Sequence, residues 1–347
     1  MWPACAPGRP WGLVTLVGMA SRGWGGRTGA VPVGGAWRVA VGCGALLVAV
    51  YALAVWTTPG QRFEDAVLRA SWPDRASPVV AVLDVISAGS LALAAALVGW
   101  IGHRTGGRAT ALAIVAMILA AVTATELLQA VLPRPILLAH GFRREDRSFP
   151  SGHTAVATAV LCGLLLAVPA RARPWTALPA LLGSAAIGAA TVTVSWHRPS
   201  DTVGSALIVM IGVCVTIAVL RRRGLLVPLT ETNGGGRIVG GVLAIVVTTS
   251  VAVAVYAGHK AVVALDSTGD PDLAPHSAVI AGRAVAIAAT GTATLTTLLL
   301  LAGLGPARIA HAREPEATDE SDGEATGESD GEATGESDGE SDLSPTV

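Results

Sequence analysis

The chain has 347 residues, 52% of them hydrophobic and only 14% charged, with a formal net charge of −1. Its apolar residues fall in runs about as long as a bilayer is thick, which excludes a water-soluble globular protein and marks a polytopic membrane protein. The four cysteines, Cys5, Cys43, Cys162 and Cys214, show neither a disulfide framework nor metal-ligand spacing, and no cofactor is expected.

In chain order, residues 1–36 read as a poorly ordered cytoplasmic extension or an over-called start. Their apolar patch Trp11–Ala20 is followed by Arg22 and Arg27, where a signal peptide would have its cleavage region. Eight helical spans are then expected near 37–56, 77–101, 109–132, 153–170, 175–195, 201–220, 237–257 and 278–304, bounded by charge or by Pro and Gly. The fold class is thus an all-α polytopic membrane protein, with a six-helix core over 37–220 and two further C-terminal spans within 221–305. The segment 306–347 is an acidic tail in which Ser-Asp-Gly-Glu-Ala-Thr-Gly-Glu stands at 321–328 and again at 329–336. It lacks the apolar residues a packed core requires and reads as solvated and disordered.

Basic residues set the expected orientation. With a cytoplasmic N-terminus, 14 arginines fall in inner segments, while eight arginines and Lys260 fall in outer loops, which favours both termini inside. A bacterial plasma membrane is the expected location. On this count the loop carrying Arg134 and His153 and the loop carrying His197 and Asp201 open on one extracytoplasmic side.

Those loops hold two polar islands, Phe149-Pro150-Ser151-Gly152-His153 and Trp196-His197-Arg198-Pro199-Ser200-Asp201, with Arg134-Pro135 upstream. Ser151 can cap a helix that starts near His153, and Gly152 lets backbone approach a ligand, so that free N–H groups attract phosphate oxygens. The plainer account is a turn and cap beside an interfacial histidine. His197 and Asp201 share a helix face if the helix starts near Pro199, which lets the carboxylate orient an imidazole able to attack phosphorus. Here too a plain helix start, with Ser200 or Asp201 as cap, accounts for the residues. Arg134 suits a bidentate phosphate clamp or a snorkelling boundary residue. Asp84 and Glu126 are carboxylates within apolar spans, Glu126 either bracing the site or hydrogen-bonded between helices.

In combination and order these motifs resemble the type-2 phosphatidic acid phosphatase superfamily, over roughly residues 45–220 by the span map. The resemblance implies that His197 is the nucleophile, Asp201 its orienting partner, and His153 the general acid. It also implies that Ser151 and the Gly152 backbone bind the transferred phosphoryl group and that Arg134 clamps it, without a metal. The chain departs from the family pattern at two places. Leu127 stands where the first motif has a lysine, and Ala190-Thr191 stands where the third motif has Ser-Arg. Arg198, with Arg143, Arg144 and Arg147, supplies the nearest cations to replace them.

The expected function is therefore a membrane phosphatase acting on a lipid phosphate or isoprenoid pyrophosphate through a phosphohistidine, with phosphotransfer as a near neighbour. Its partners would be the lipid phosphate and membrane lipids, with no nucleic acid. The competing expectation is a non-catalytic lipid-phosphate binder or transporter.

Overall fold

The structure is a computed structural model that describes residues 33–71, 78–139, 141, 147–229, 235–268 and 276–311. The expected N-terminal extension, up to residue 32, and the acidic tail from residue 312 lie outside the described residues.

Each expected span has a helix. Helix α1 (Val33–Val50) continues through a π-helical turn at Tyr51–Val55. The second span is bent by 65° between α3 (Pro78–Asp84) and α4 (Ala88–Gly106), where Ser87 and Ser90 cap the second piece reciprocally. Helices α5 (Arg108–Val131), α6 (Gly152–Ala167), α7 (Arg173–Thr193), α8 (Pro199–Arg222), α9 (Gly235–Thr268) and α10 (His276–Leu300) follow. Among the described residues, six helices can cross a bilayer by length and apolarity, or seven when the bent pair is taken as one span. Helix α6 is shorter; its 16 residues rise about 24 Å. Exposed apolar residues on several of these helices, among them Leu46, Leu93, Leu112, Leu182 and Ile245, give the protein a lipid-facing surface.

One helix was not expected. Residues Thr58–Ala70 form α2, in what reads as the loop between the first two spans. Its polar composition hides it from a hydropathy scan, yet the start signals are in the sequence. Thr57 accepts a hydrogen bond from the Gly60 N–H at 3.1 Å, and Pro59 occupies the first turn. Ala66, Val67 and Leu68 are buried, with Phe63 packed beside them.

Helix α8 is central, packed against α1, α5, α6 and α10. Its Val209, Val213 and Ile217 join Ile114, Ile118 and Leu165 in the core. The last span, α10, is also largely buried and packs against α2, α7, α8 and α9. Small residues allow that approach: Ala278, Ala281, Gly282 and Ala286 are all buried. The buried hydroxyls of Thr290, Thr294 and Thr297 donate to the carbonyl four residues back at 2.8–3.1 Å, leaving no hydroxyl proton unpaired. At the opposite end from the histidines, Arg173 donates to the carbonyls of Leu301 and Leu304, next to an antiparallel ribbon of β1 (Leu226–Pro228) and β2 (Leu304–Pro306). A short helix α11 (Ala307–His311) closes the described chain.

Candidate active site

The two polar islands meet at one end of the bundle. Ser151 is the N-cap of α6, its Oγ accepting from the Thr154 N–H at 3.4 Å. It is also tied to α8 twice: its N–H donates to the Asp201 carbonyl at 3.0 Å, and its own carbonyl accepts from Ser205 Oγ at 2.6 Å. Gly204, one turn into α8, allows the Phe149 ring to lie against the helix; a Cβ there would stand 2.7 Å from the ring. The first island is therefore built onto the helix that the second island begins.

The second island turns sharply after α7. Ser195 has φ of 56°, the left-handed region that non-glycine residues seldom occupy. Its Oγ donates to the carbonyls of Leu68 (3.1 Å) and Ser71 (2.7 Å), anchoring the turn to the end of α2. The N–H groups of Trp196 and His197 both donate to the Thr191 carbonyl, at 3.0 and 3.2 Å. Arg198 then occupies the N-cap position, and Asp201 Oδ2 accepts its backbone N–H at 2.8 Å.

His197 is buried, with Nδ1 3.5 Å from Asp201 Oδ2. That separation is longer than a formed hydrogen bond and short enough for a charge on the imidazole to be stabilised by the carboxylate. Across from it stands half-buried His153, its ring centroid 6.2 Å from that of His197 and 5.3 Å from that of Trp196.

The cations are arranged less simply. Arg134 Nη2 donates to Glu64 Oε2 at 2.6 Å, with side-chain exposures of 8% and 3%. Its Nη1 is buried and has no hydrogen-bond partner. Arg198 is buried, and its Nη1 donates to Ser148 Oγ at 2.6 Å. Both arginines line a cleft together with Gln61, Asp65, Ile136, Leu138 and Gly141. Burial and the neighbouring Asp201 carboxylate push the Glu64 pKa above the ordinary carboxylate range, while Arg134 and Ser200 oppose that rise.

The remaining expected cations lie elsewhere. Arg147 is exposed and donates to the Ala130 carbonyl at the end of α5 at 3.3 Å, while Arg143 and Arg144 lie outside the described residues. Leu127, at the position of the missing lysine, is 60% exposed, and Gln129 donates to the Ser148 carbonyl at 3.4 Å. Glu126 brings its Oε1 against Gly152, 2.6 Å from where a Cβ would stand, so a carboxylate rather than an ammonium sits beside the N-terminus of α6. Among the described residues, no group of three His, Cys, Asp or Glu side chains is placed to hold a metal ion.

Residues 86–225 match the family model of the PAP2 superfamily. This part of the chain is similar to the PAP2 superfamily. This is a family of membrane phosphatases, and its matched segment here runs from α4 to the turn after α8, enclosing both histidine islands. No match was found among curated proteins or among solved structures. The PAP2 segment excludes α2, and with it Glu64, the site residue that the sequence reading missed. The available signal was an amphipathic pattern with a capped start just after the first span.

Proposed function

We propose that this protein is a phosphatase that removes phosphate from a lipid phosphate or an isoprenoid pyrophosphate at the extracytoplasmic face. The observation that carries the reading is the arrangement of His197 beside Asp201 and across 6.2 Å from His153, at the N-terminus of α6. His197 attacks phosphorus through Nε2 while Asp201 faces Nδ1 and stabilises the positive charge that the ring gains. The bond from phosphorus to the leaving alkoxide or phosphate breaks, and His153 donates its proton to that oxygen. Water then attacks the phosphohistidine, with the now neutral His153 taking its proton, and orthophosphate is released. Charge on the equatorial oxygens is met by the N–H groups at the start of α6, by Arg134 and by Arg198, and the lipid tail stays among the apolar helices.

The test is phosphate release by the purified protein in detergent, with EDTA present, from phosphatidic acid, lysophosphatidic acid and undecaprenyl pyrophosphate. His197→Ala abolishes release, and His153→Ala slows it by about 10²–10⁴-fold. Unchanged turnover in both variants would sink the mechanism. Absence of turnover on all three lipids, with retained binding, would instead identify a lipid-phosphate binder.

A further inference from the structure

Glu64 presents a problem that the phosphatase reading leaves open. Of the two guanidinium edges that Arg134 brings to the site, one is occupied by the Glu64 carboxylate at 2.6 Å, and the other ends in a buried Nη1 with no partner. Glu64 Oε1 is likewise buried and makes no formed hydrogen bond, with the Ser200 hydroxyl as its polar neighbour. The pair is therefore sequestered from water but incompletely satisfied on both sides, a costly arrangement for buried charges unless a further group completes it. Arg134 also lines the cleft it shares with Arg198, so a ligand in the cleft meets this guanidinium.

Charge complementarity points the same way. Two carboxylates, Glu64 and Asp201, and two guanidiniums, Arg134 and Arg198, are linked by ion pairing or electrostatic interaction. Their formal charges cancel. The first-motif lysine is replaced by Leu127 and the third-motif arginine by Thr191, so the described residues near the histidines bring no extra positive charge to offset an entering phosphate. A phosphate oxygen and the Glu64 carboxylate seek the same donors on Arg134, and both being anions, each weakens the hold of the other.

We propose that Glu64 is a specificity-determining residue that competes with phosphate oxygens for Arg134 and thereby sets how tightly the site holds phosphate. The proposal rests on the reading of the islands as a phosphate site. When phosphate enters, Arg134 turns its donors from Glu64 to the phosphate oxygens. Burial has already made the Glu64 carboxyl easier to protonate, so the displaced side chain can be held neutral. When orthophosphate forms, the returning Glu64 carboxylate reclaims Arg134 and favours departure of the product. A residue that merely braced Arg134 would act in the opposite sense, since loosening it would weaken phosphate binding.

The test is calorimetric titration of orthophosphate into the purified full-length protein in detergent, for the parent, Glu64→Gln, Arg134→Ala and the double variant. Gln keeps the side-chain shape and an oxygen to accept from Nη2, while removing the competing charge. Glu64→Gln is expected to bind orthophosphate about tenfold more tightly than the parent. Arg134→Ala is expected to bind more weakly, and adding Glu64→Gln to it should restore nothing. Circular dichroism and size-exclusion profiles establish that each variant is folded. Equal or weaker binding by folded Glu64→Gln overturns the proposal, as does a gain that persists without Arg134. Tighter binding by Glu64→Gln in a protein that turns over no lipid would leave the competition standing while rejecting the phosphatase. Absence of saturable binding by both parent and Glu64→Gln, up to the millimolar range, would overturn the competition and the phosphate site together.

Discussion

Asp201 accepts the backbone N–H of Arg198 with Oδ2, the same oxygen that lies 3.5 Å from Nδ1 of His197. A single carboxylate oxygen thus starts helix α8 and faces the imidazole, so capping and chemistry can be separated by substitution. Asp201→Asn retains an oxygen for the cap and loses the charge; it is expected to fold normally while phosphate release falls about 10²–10⁴-fold. Asp201→Ala loses both and should in addition unfold with about 1–2 kcal/mol less stability. Melting curves and lipid-phosphate turnover on the two variants check this. Equal turnover in Asp201→Asn and the parent would remove Asp201 from the mechanism.

Gly204 holds the first island in place by having no side chain. A Cβ there would approach Phe149 Cζ to 2.7 Å and Pro150 Cβ to 3.3 Å, so Gly204→Val forces the Phe149–Pro150 segment away from α8. The expected loss is about 1–3 kcal/mol of stability. Because Ser151 and His153 move with that segment, turnover should fall further than the melting temperature alone would suggest. A variant as active as the parent would show that the island adapts to the bulk.

Ser195 combines a left-handed backbone with two hydrogen bonds to the end of α2. Ser195→Gly relieves the backbone and loses the hydrogen bonds, whereas Ser195→Ala loses the hydrogen bonds and keeps the strain. Alanine is therefore expected to be the more destabilising change, at about 1–3 kcal/mol. Thermal unfolding of the pair in detergent decides the order; glycine below alanine would contradict it.

The raised Glu64 pKa carries a definite sign. A carboxyl whose pKa is higher in the folded than in the unfolded state favours folding below its unfolded value, near the ordinary Glu range. That contribution is lost as pH rises through the folded value. Glu64→Gln stays neutral throughout, so its melting temperature relative to the parent should climb as pH rises from about 4 toward neutrality. A difference that stays constant, or shrinks, would place the Glu64 pKa at or below its ordinary value.

How far the sequence could be read depended on which physical signal each feature left. The expected spans were legible because each is a long apolar run, most of them as long as a bilayer is thick, and the residue order of the islands pointed to one shared end, where His153 and His197 do meet. Helix α2 was not legible, since it lies beside the spans with a polar face and contributes Glu64 to Arg134 over 70 residues of separation. The pairing of Arg134 depends on that helix, so the sequence alone presented Arg134 as an unencumbered clamp. The bend in the second span was hidden for a different reason: hydropathy is insensitive to direction, and the Ser87–Ser90 cap carries little weight against a long apolar run.

Near the site end, the last span comes within a side chain of both α2 and the start of α8: a Cβ on Gly282 would stand 2.7 Å from Val67 and 3.1 Å from Pro199. Helix α10 is made after both of those neighbours, so during synthesis the histidine-bearing helices enter the membrane before the surface that backs them exists. The final assembly of the site is thus coupled to insertion of a helix beyond the family-matched segment.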